Sequence, residues 1–273
     1  MLQVYHFYPE RTSPVILSCC IWALSGPERD VLSRIAGAGF RSIDTRPDTL
    51  TPEGARAGIR DLGLSVSCVA ASFGLPEGAA LDSPEADAAA EALAHTEKTL
   101  AYAADLGATA AYLVPGPDGS PEALSRYAHA LTSAADRAGD RGLKLCIEHF
   151  PGSALPTAKG TLDFLQEVGH PNLYLLFDIG HAQMSGEDPA DTVAGAGDRL
   201  GYVHLDDNDG QNDLHLSLTD GILTEDVLRR TFSALSDAGY DGAVSLELHA
   251  ELLDPLDALK RSREIVRRVA QIA

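Results

Sequence analysis

The sequence of 273 residues predicts an α/β protein that folds as a single (β/α)8 TIM barrel over residues 1–273. Three observations lead to this prediction. Short apolar runs typical of strands alternate with longer amphipathic runs typical of helices along the whole chain. The length is ordinary for one such barrel. Several apolar runs of the second half end in Glu, Asp or His, and a barrel gathers the carboxyl ends of its strands on the face where active sites form.

The first half of the chain contains four predicted strands after an irregular lead-in over residues 1–14. These strands cover residues 15–21, 40–44, 64–71 and 109–114. Two helices are predicted to begin near Pro27 and Pro52, because proline followed by glutamate suits the first turn of a helix. Residues 84–106 are rich in alanine, which favours helix intrinsically, and residues 121–141 are predicted to form the next helix.

The second half repeats the strand and helix unit four more times. Predicted strands cover residues 143–147, 172–177, 200–205 and 243–246. Predicted helices cover residues 157–168, 188–196, 224–238 and 254–270. A doubly wound open sheet is the alternative arrangement. That fold usually carries a glycine-rich phosphate loop after its first strand, and residues 17–21 do not form one, so the barrel is favoured.

The charge of the chain bears on its partners. There are 21 basic and 40 acidic residues, and the formal net charge is −19 at pH 7. Such a field repels the phosphates of nucleic acids, so no nucleic-acid partner is expected. The one cluster of basic residues, four arginines within residues 261–268, has helical spacing and is interpreted as a solvated helix face.

Cysteine usage and hydropathy bear on the location of the protein. The four cysteines form no C-x-x-C pair, and three of them lie in apolar runs, where a cysteine is usually a small buried hydrophobe. No apolar run approaches the ~20 residues needed to span a bilayer. The first 14 residues do not have the basic and then apolar pattern of a signal peptide. We therefore expect a soluble cytoplasmic protein without a membrane partner.

Four side chains of metal-ligand type end successive predicted strands of the second half: Glu148, Asp178, His204 and Glu247. A single acid at a strand end is often only a helix cap or a salt-bridge partner. Four in consecutive positions, along one arc of a barrel, favour a divalent-metal site instead. Three carboxylates and one imidazole suit Mn²⁺, Mg²⁺, Co²⁺ or Zn²⁺.

The same arrangement suggests a reaction. Glu148 and Glu247 come from opposite ends of the arc, and a metal between them can chelate two adjacent oxygens of a sugar. One carboxylate then removes a proton from carbon and the other returns it, while the metal stabilises the enediolate. His181 is interpreted as a substrate-binding residue or merely a loop histidine, and His149 and His249 receive little weight.

Four segments resemble the sugar isomerase/epimerase family with the xylose-isomerase-like TIM barrel: Glu148, residues 178–181 (Asp-Ile-Gly-His), residues 203–206 (Val-His-Leu-Asp) and residues 246–247 (Leu-Glu). The resemblance implies that Glu148 and Glu247 are metal ligands and also the acid and base pair. It further implies that Asp178 and His204 complete the metal shell and that His181 contacts substrate. The expected activity is isomerisation or epimerisation of a ketose, a sugar phosphate or a related polyol. The loop over residues 206–212 lacks the arginine that some ketose epimerases place there.

The superfamily of this resemblance also includes other activities. Inosose dehydratases are lyases that expel a hydroxyl from a similar enediolate, and zinc endonucleases cut DNA at abasic sites with three metals. His181, Asp213 and His215 resemble the ligands of the third metal, so a second metal is possible here. The two early-strand histidines of the nucleases have no match at residues 71–73 or 114–116, which ranks that activity lower. A barrel that only binds a sugar is a further alternative, and a homodimer or homotetramer is expected because related barrels often pair.

Overall fold

The computed structural model describes residues 15–47, 50 and 52–271, and the predicted lead-in lies outside them. The strands are β1 (Ile16–Cys19), β2 (Ser42–Thr45), β3 (Ser65–Ala70), β4 (Ala110–Leu113), β5 (Lys144–Glu148), β6 (Leu173–Asp178), β7 (Leu200–Leu205) and β8 (Ala243–Leu246). The helices are α1 (Glu28–Gly37), α2 (Pro52–Asp61), α3 (Ala86–Asp105), α4 (Pro121–Gly139), α5 (Ala158–Val168), α6 (Ile179–Met184), α7 (Pro189–Ala196), α8 (Glu225–Asp237) and α9 (Pro255–Ala270).

The eight strands form one parallel sheet in the order β1-β8-β7-β6-β5-β4-β3-β2. The two edge strands, β1 and β2, approach each other and are joined by an isolated parallel bridge between Cys20 and Asp44. The sheet is therefore a nearly closed barrel whose strands alternate with helices. The predicted (β/α)8 TIM-barrel fold is confirmed.

Two apolar layers hold the barrel together. The larger one lies between the sheet and the surrounding helices and contains most of the buried Leu, Ile and Val side chains. The smaller one fills the inside of the barrel with Cys68, Ala70, Ala110, Tyr112, Cys146, Leu176, Tyr202 and Ala243. Alternate residues of a strand point to opposite faces, so each strand contributes to both layers. Small residues and two tyrosines suffice inside because the barrel is narrow.

Two local predictions differ from the structure. The first strand ends at Cys19, and Ile21–Ala23 form a short 3₁₀ helix instead of continuing the strand. Helix α6 was not predicted, because a glycine two residues after a strand is typical of a loop. The Asp178 side chain at its N-cap accepts a hydrogen bond from the His181 amide at 2.8 Å and starts this helix directly at the end of β6.

All four cysteines belong to the described residues, and each is buried and unpaired there. Their interpretation as small buried hydrophobes is confirmed for the three that lie in strand-like runs. Among the helices of residues 15–47 and 52–271, none is both long and apolar enough to cross a membrane.

Candidate active site

The structure brings together the four side chains that end the strands of the second half. Glu148 ends β5, Asp178 ends β6, His204 lies in β7 and Glu247 follows β8 directly. Each offers one ligand atom, and these atoms all lie within 4.8 Å of one another. All four residues are buried. We call them the four-residue cluster.

Contacts within the cluster are short but poorly aligned for hydrogen bonds. His204 Nδ1 lies 2.6 Å from Glu247 Oε2 and 3.5 Å from Glu148 Oε1. Despite these distances, the ring nitrogen has no hydrogen-bond partner of acceptable geometry among the described residues. The Asp178 Oδ2 atom is likewise buried and without a hydrogen-bond partner in the described part of the chain. Atoms that converge in this way can share a third atom between them.

The donor set fits a divalent cation. Three buried carboxylates around one imidazole leave negative charge in a region from which water is largely excluded, and an uncompensated buried charge is costly. Carboxylate oxygens and an imidazole nitrogen are the ligands of hard and borderline divalent ions. The unpaired Asp178 Oδ2 and His204 Nδ1 atoms are the two donors that most need such a partner.

Burial and mutual contact shift the proton affinities in the cluster. Burial raises the pKa of Glu148. Burial alone would also raise the pKa of Glu247, but the adjacent His204 lowers it to about 2. Burial would lower the pKa of His204, whereas the charge of Glu247 and contacts with further carboxylates raise this pKa well above its ordinary value. In the protein alone, therefore, charge on the imidazole and charge on Glu247 stabilise each other.

Trp22, from the short helix after β1, positions one of these glutamates. Its indole Nε1–H donates a hydrogen bond of 3.1 Å to Glu247 Oε1, so both oxygens of Glu247 have a neighbour. The guanidinium of Arg46 lies 5.2 Å from the centre of the Trp22 ring. Sequence reasoning missed Trp22, because an indole in a loop carries no specific signal by itself.

A second polar group adjoins the first. His215 lies 3.2 Å from Asp213 through Nε2 and 3.0 Å from Asp206 through Nδ1. His181 Nε2 lies 3.4 Å from the other oxygen of Asp213. The three residues predicted as a possible second metal site are thus neighbours, and the structure adds Asp206 to them.

Mutual contact also shifts the pKa values in the second group. Burial would lower the pKa of His215, but its contacts with the carboxylates of Asp206 and Asp213 raise it to about 12. Burial and the nearby Asp178 raise the pKa of Asp206 to about 7. Asp206 Oδ1 and Oδ2, Asp213 Oδ1 and His215 Nδ1 are buried and have no hydrogen-bond partner of acceptable geometry in the described part of the chain. Asp206, Asp213 and His215 are therefore a candidate second metal site.

His181 connects the two groups. Its Nδ1 lies 2.9 Å from the His149 carbonyl oxygen, and because a carbonyl only accepts, Nδ1–H is the donor. The same nitrogen is 3.7 Å from Asp178 and 3.9 Å from Glu148. His149, which was given little weight, is fully buried and its Nε2 accepts the backbone N–H of Asp178 at 3.2 Å. No periodicity or spacing could have revealed this, because His149 acts through one side-chain and one backbone contact.

A cavity of about 320 Å³ opens above the four-residue cluster. It is lined by Ser72, Phe73, Tyr112, Val114, Glu148, Phe150, His181, Asp213, His215 and Glu247. Both glutamates of the cluster therefore contribute to its wall. The volume lies near the lower end of the range for small-molecule sites. The wall combines aromatic and aliphatic side chains with acids and histidines, which suits a small polar molecule with an apolar face.

Residues 32–269 match the family described as xylose isomerase-like TIM barrel. The chain belongs to this family. L-ribulose 3-epimerase from Mesorhizobium japonicum is 28% identical over 251 residues, which cover 86% of the chain and 81% of that protein. Inosose dehydratase from Clostridium botulinum is 27% identical over 169 residues, which cover 55% of the chain and 56% of that protein. The chain spans only 50% and 48% of the length of two further relatives, which are 32% and 31% identical to it.

A solved structure of L-ribulose 3-epimerase has the same fold. It superimposes with a TM-score of 0.80 and covers 94% of this chain and 95% of its own, at 22% sequence identity. The buried cluster of Glu, Asp and His side chains is consistent with a metal site typical of this family. Together with the fold, these findings place the chain in the xylose isomerase-like TIM-barrel family.

Proposed function

We propose that this protein is a divalent-metal-dependent isomerase or epimerase that acts on a ketose, a sugar phosphate or a related polyol. The observation that carries the proposal is the four-residue cluster, whose ligand atoms all lie within 4.8 Å of one another. Two of its members, Glu148 and Glu247, also line the cavity above it. A carboxylate that belongs to both the cluster and the cavity wall can contact a metal ion and a small molecule in the cavity at the same time.

The metal would be held by Glu148, Asp178, His204 and Glu247. Mn²⁺, Mg²⁺, Co²⁺ and Zn²⁺ all suit this donor set. Bound there, the ion would act as a Lewis acid that stabilises negative charge on the substrate oxygens during enolisation.

Glu148 and Glu247 would move the proton. They end strands β5 and β8, with β6 and β7 between them, and so approach the cavity from different sides. A substrate carbon between the two carboxylates would lose its proton to one of them. Return of a proton from the other carboxylate to the same carbon would invert that stereocentre, and return to the neighbouring carbon would move the carbonyl group. The hydrogen bond from Trp22 to Glu247 holds one carboxylate in place during this exchange.

His181 would bind the substrate. It contributes to the cavity wall, and the carbonyl of His149 fixes the proton on its Nδ1. The Nε2 atom has no hydrogen-bond partner among the described residues, although Asp213 is 3.4 Å away. A substrate hydroxyl is the partner that this atom lacks. If a second metal binds, His181, Asp213 and His215 would be its ligands.

A lyase is the second candidate. The same proton abstraction by a cavity glutamate would expel a hydroxyl from the neighbouring carbon, and the similarity to inosose dehydratase over about half the chain favours this variant. Endonuclease activity is less well supported. The ends of β3 and β4 present Ser72, Phe73 and Val114 to the cavity, not the histidines that abasic-site nucleases contribute there.

Solvent exchange tests the proposal. The protein is loaded with Mn²⁺, then removed from excess metal, and ketoses, their phosphates and polyol ketones are incubated with it in D₂O. We expect loss of one carbon-bound proton signal from the true substrate in NMR spectra. Glu148→Gln and Glu247→Gln should each lower the exchange rate by at least about 100-fold, because each removes a proton-transfer group.

Glu225→Gln is the matched control, since Glu225 lies at the start of α8 and pairs with exposed arginines at the protein surface. It should exchange the substrate proton at the wild-type rate. Full activity in both cluster variants would contradict the proposal. A dehydrated product that absorbs ultraviolet light would identify the lyase, and binding without exchange would identify a non-catalytic sugar-binding barrel.

A further inference from the structure

Asp44 is a buried acid that the proposed reaction does not use. It lies in β2 and is fully buried. The pairing of β2 with β3 shifts register between Ile43 and Asp44, and irregularities of this kind re-aim a side chain. The Asp44 carboxylate contacts side chains from β1, β3 and β7, so it lies inside the barrel and not among the outer helices.

One carboxylate oxygen of Asp44 is held by three hydroxyl groups. Its Oδ1 accepts hydrogen bonds from Ser18 at 3.0 Å, Ser67 at 2.8 Å and Tyr202 at 2.6 Å. These donors are themselves buried, and Tyr202 also lies 2.9 Å from the Ser67 hydroxyl. A carboxylate with one oxygen fixed by three donors keeps its second oxygen in a defined direction.

That second oxygen faces the histidine of the four-residue cluster. Asp44 Oδ2 lies 3.4 Å from His204 Nε2, and the Cys20 thiol is 3.8 Å from the same oxygen. Within the described residues, Nε2 is buried and makes no hydrogen bond of acceptable geometry. The distance of 3.4 Å is long for a hydrogen bond, and Asp44 Oδ2 is the carboxylate oxygen that Nε2 faces.

Two tyrosine rings pack against the His204 imidazole and restrict its orientation. The rings of Tyr112 and Tyr202 lie edge-on to His204, with centroid distances of 5.3 Å and 5.7 Å. Tyr202 thus contacts both Asp44 and His204. The two nitrogens of the ring point in opposite directions, Nε2 to Asp44 and Nδ1 to the carboxylates of the cluster.

We propose that Asp44 is a positioning residue that selects the tautomer of His204. Its carboxylate accepts a hydrogen bond from Nε2–H and leaves the Nδ1 lone pair free for the cation, so this inference rests on the metal site of the proposed function. Without Asp44, the strongest acceptor near the ring is Glu247 Oε2, 2.6 Å from Nδ1. A proton drawn to Nδ1 would block the atom that has to bind the metal. Carboxylates that orient metal-binding histidines in this way are a general feature of metal sites.

The tautomer is measured first in the unmodified protein. The chain is labelled with ¹⁵N in its histidines and loaded with Zn²⁺, which is diamagnetic, and long-range ¹H–¹⁵N correlation spectra assign each ring nitrogen of His204. We expect a proton on Nε2 and a metal-bound Nδ1. A proton on Nδ1 with the metal on Nε2 would overturn the proposal without any variant.

Metal affinity supplies the second readout. The Mn²⁺ dissociation constant is measured by equilibrium dialysis for the wild type and for Asp44→Asn and Asp44→Ala. We expect affinity to fall by about 10- to 100-fold in both variants, with loss of the Nε2–H signal. The control is Asp207→Asn. Asp207 is also buried, but its carboxylate accepts backbone hydrogen bonds from Gly221 and Leu223, and within the described residues no hydrogen bond or ion pair joins it to the four-residue cluster. The metal affinity of the Asp207→Asn variant should therefore stay within about twofold of wild type.

The outcomes separate this inference from the proposed function. Wild-type affinity in Asp44→Ala with an unchanged His204 signal would overturn the role of Asp44 and leave the metal site standing. No metal binding by the wild type would overturn both. If Asp44→Ala does not fold, the spectrum of the wild type still decides the question, because a proton on Nδ1 would overturn the proposal.

Discussion

At the scale of single residues, Gly180 shows why the Asp-Ile-Gly-His segment needs its glycine. A Cβ atom placed on Gly180 would lie 2.2 Å from Asp206 Oδ1, far inside the contact distance. The Asn208 side chain also donates to the Gly180 carbonyl at 2.9 Å. The missing side chain therefore lets the loop after β7 pack on the start of α6, which brings Asp206 next to the acids of the cluster. The constraint comes from packing and not from backbone angle.

We predict that Gly180→Ala destabilises the protein by about 1–3 kcal/mol, because the methyl group displaces a fully buried carboxylate. Urea unfolding monitored by circular dichroism would give the free energy of unfolding. Gly195→Ala is the control, since Gly195 lies in α7 and a Cβ there meets no atom of the described residues within 4 Å. That variant should be neutral or more stable by up to about 1 kcal/mol. Equal stability of the Gly180→Ala variant and the wild type would contradict this prediction, because it would show that the loop after β7 can move to accommodate the methyl group.

At the scale of elements, the helix that follows the site is tied to its neighbour by one aspartate. The Asp188 side chain caps α7 by accepting the amides of Ala190 and Asp191, at 3.0 Å and 3.2 Å. It also pairs with Arg230 of α8 at 3.0 Å. One side chain thus satisfies a helix terminus and links two helices on the outside of the barrel.

We predict that Asp188→Ala lowers the free energy of unfolding by about 1–2 kcal/mol, mainly through the lost cap. Slight burial would raise the pKa of Asp188, but the hydrogen bond from Arg230 and the capped amides lower it. Because the folded-state pKa is the lower one, the charged-state contribution is present above about pH 4 and is lost as the pH falls through the lowered pKa. The stability difference between variant and wild type should therefore shrink on acidification.

Glu85→Ala provides the comparison for that experiment. Glu85 is the N-cap residue of α3, but its side chain makes no capping hydrogen bond. Chemical denaturation at pH 7 should show little change for this variant. If Asp188→Ala and Glu85→Ala lower the free energy of unfolding by the same amount, the capping hydrogen bonds of Asp188 are not the source of the destabilisation.

At the scale of the whole molecule, the barrel explains how residues far apart in sequence form one site. Four parallel strands, β5 to β8, are adjacent in the sheet, so their carboxyl ends deliver Glu148, Asp178, His204 and Glu247 to one place. The convergence of these four residues was predictable because each apolar strand and the polar residue at its end can be recognised from a short stretch of sequence. The convergence of His181, Asp213 and His215 followed from a family resemblance and not from spacing.

Other parts of the site could not be predicted, because they depend on contacts across the barrel. Asp44 lies one residue before the end of β2, yet only the closed barrel shows that its side chain faces His204 of β7. Trp22 reaches Glu247 because the first strand stops early and turns into a 3₁₀ helix. Side-chain partners from distant strands are set by closure and register, which no local pattern encodes.

The central claim is that the four-residue cluster binds one divalent metal ion, and metal content measures it most directly. The protein is loaded with Mn²⁺, Co²⁺, Mg²⁺ or Zn²⁺ in turn, dialysed, and analysed by inductively coupled plasma mass spectrometry. We predict one equivalent of metal in the wild type, lost in both Asp178→Ala and His204→Ala while the circular dichroism spectrum is retained. No bound metal under any loading condition, or one equivalent retained in both variants, would contradict the claim.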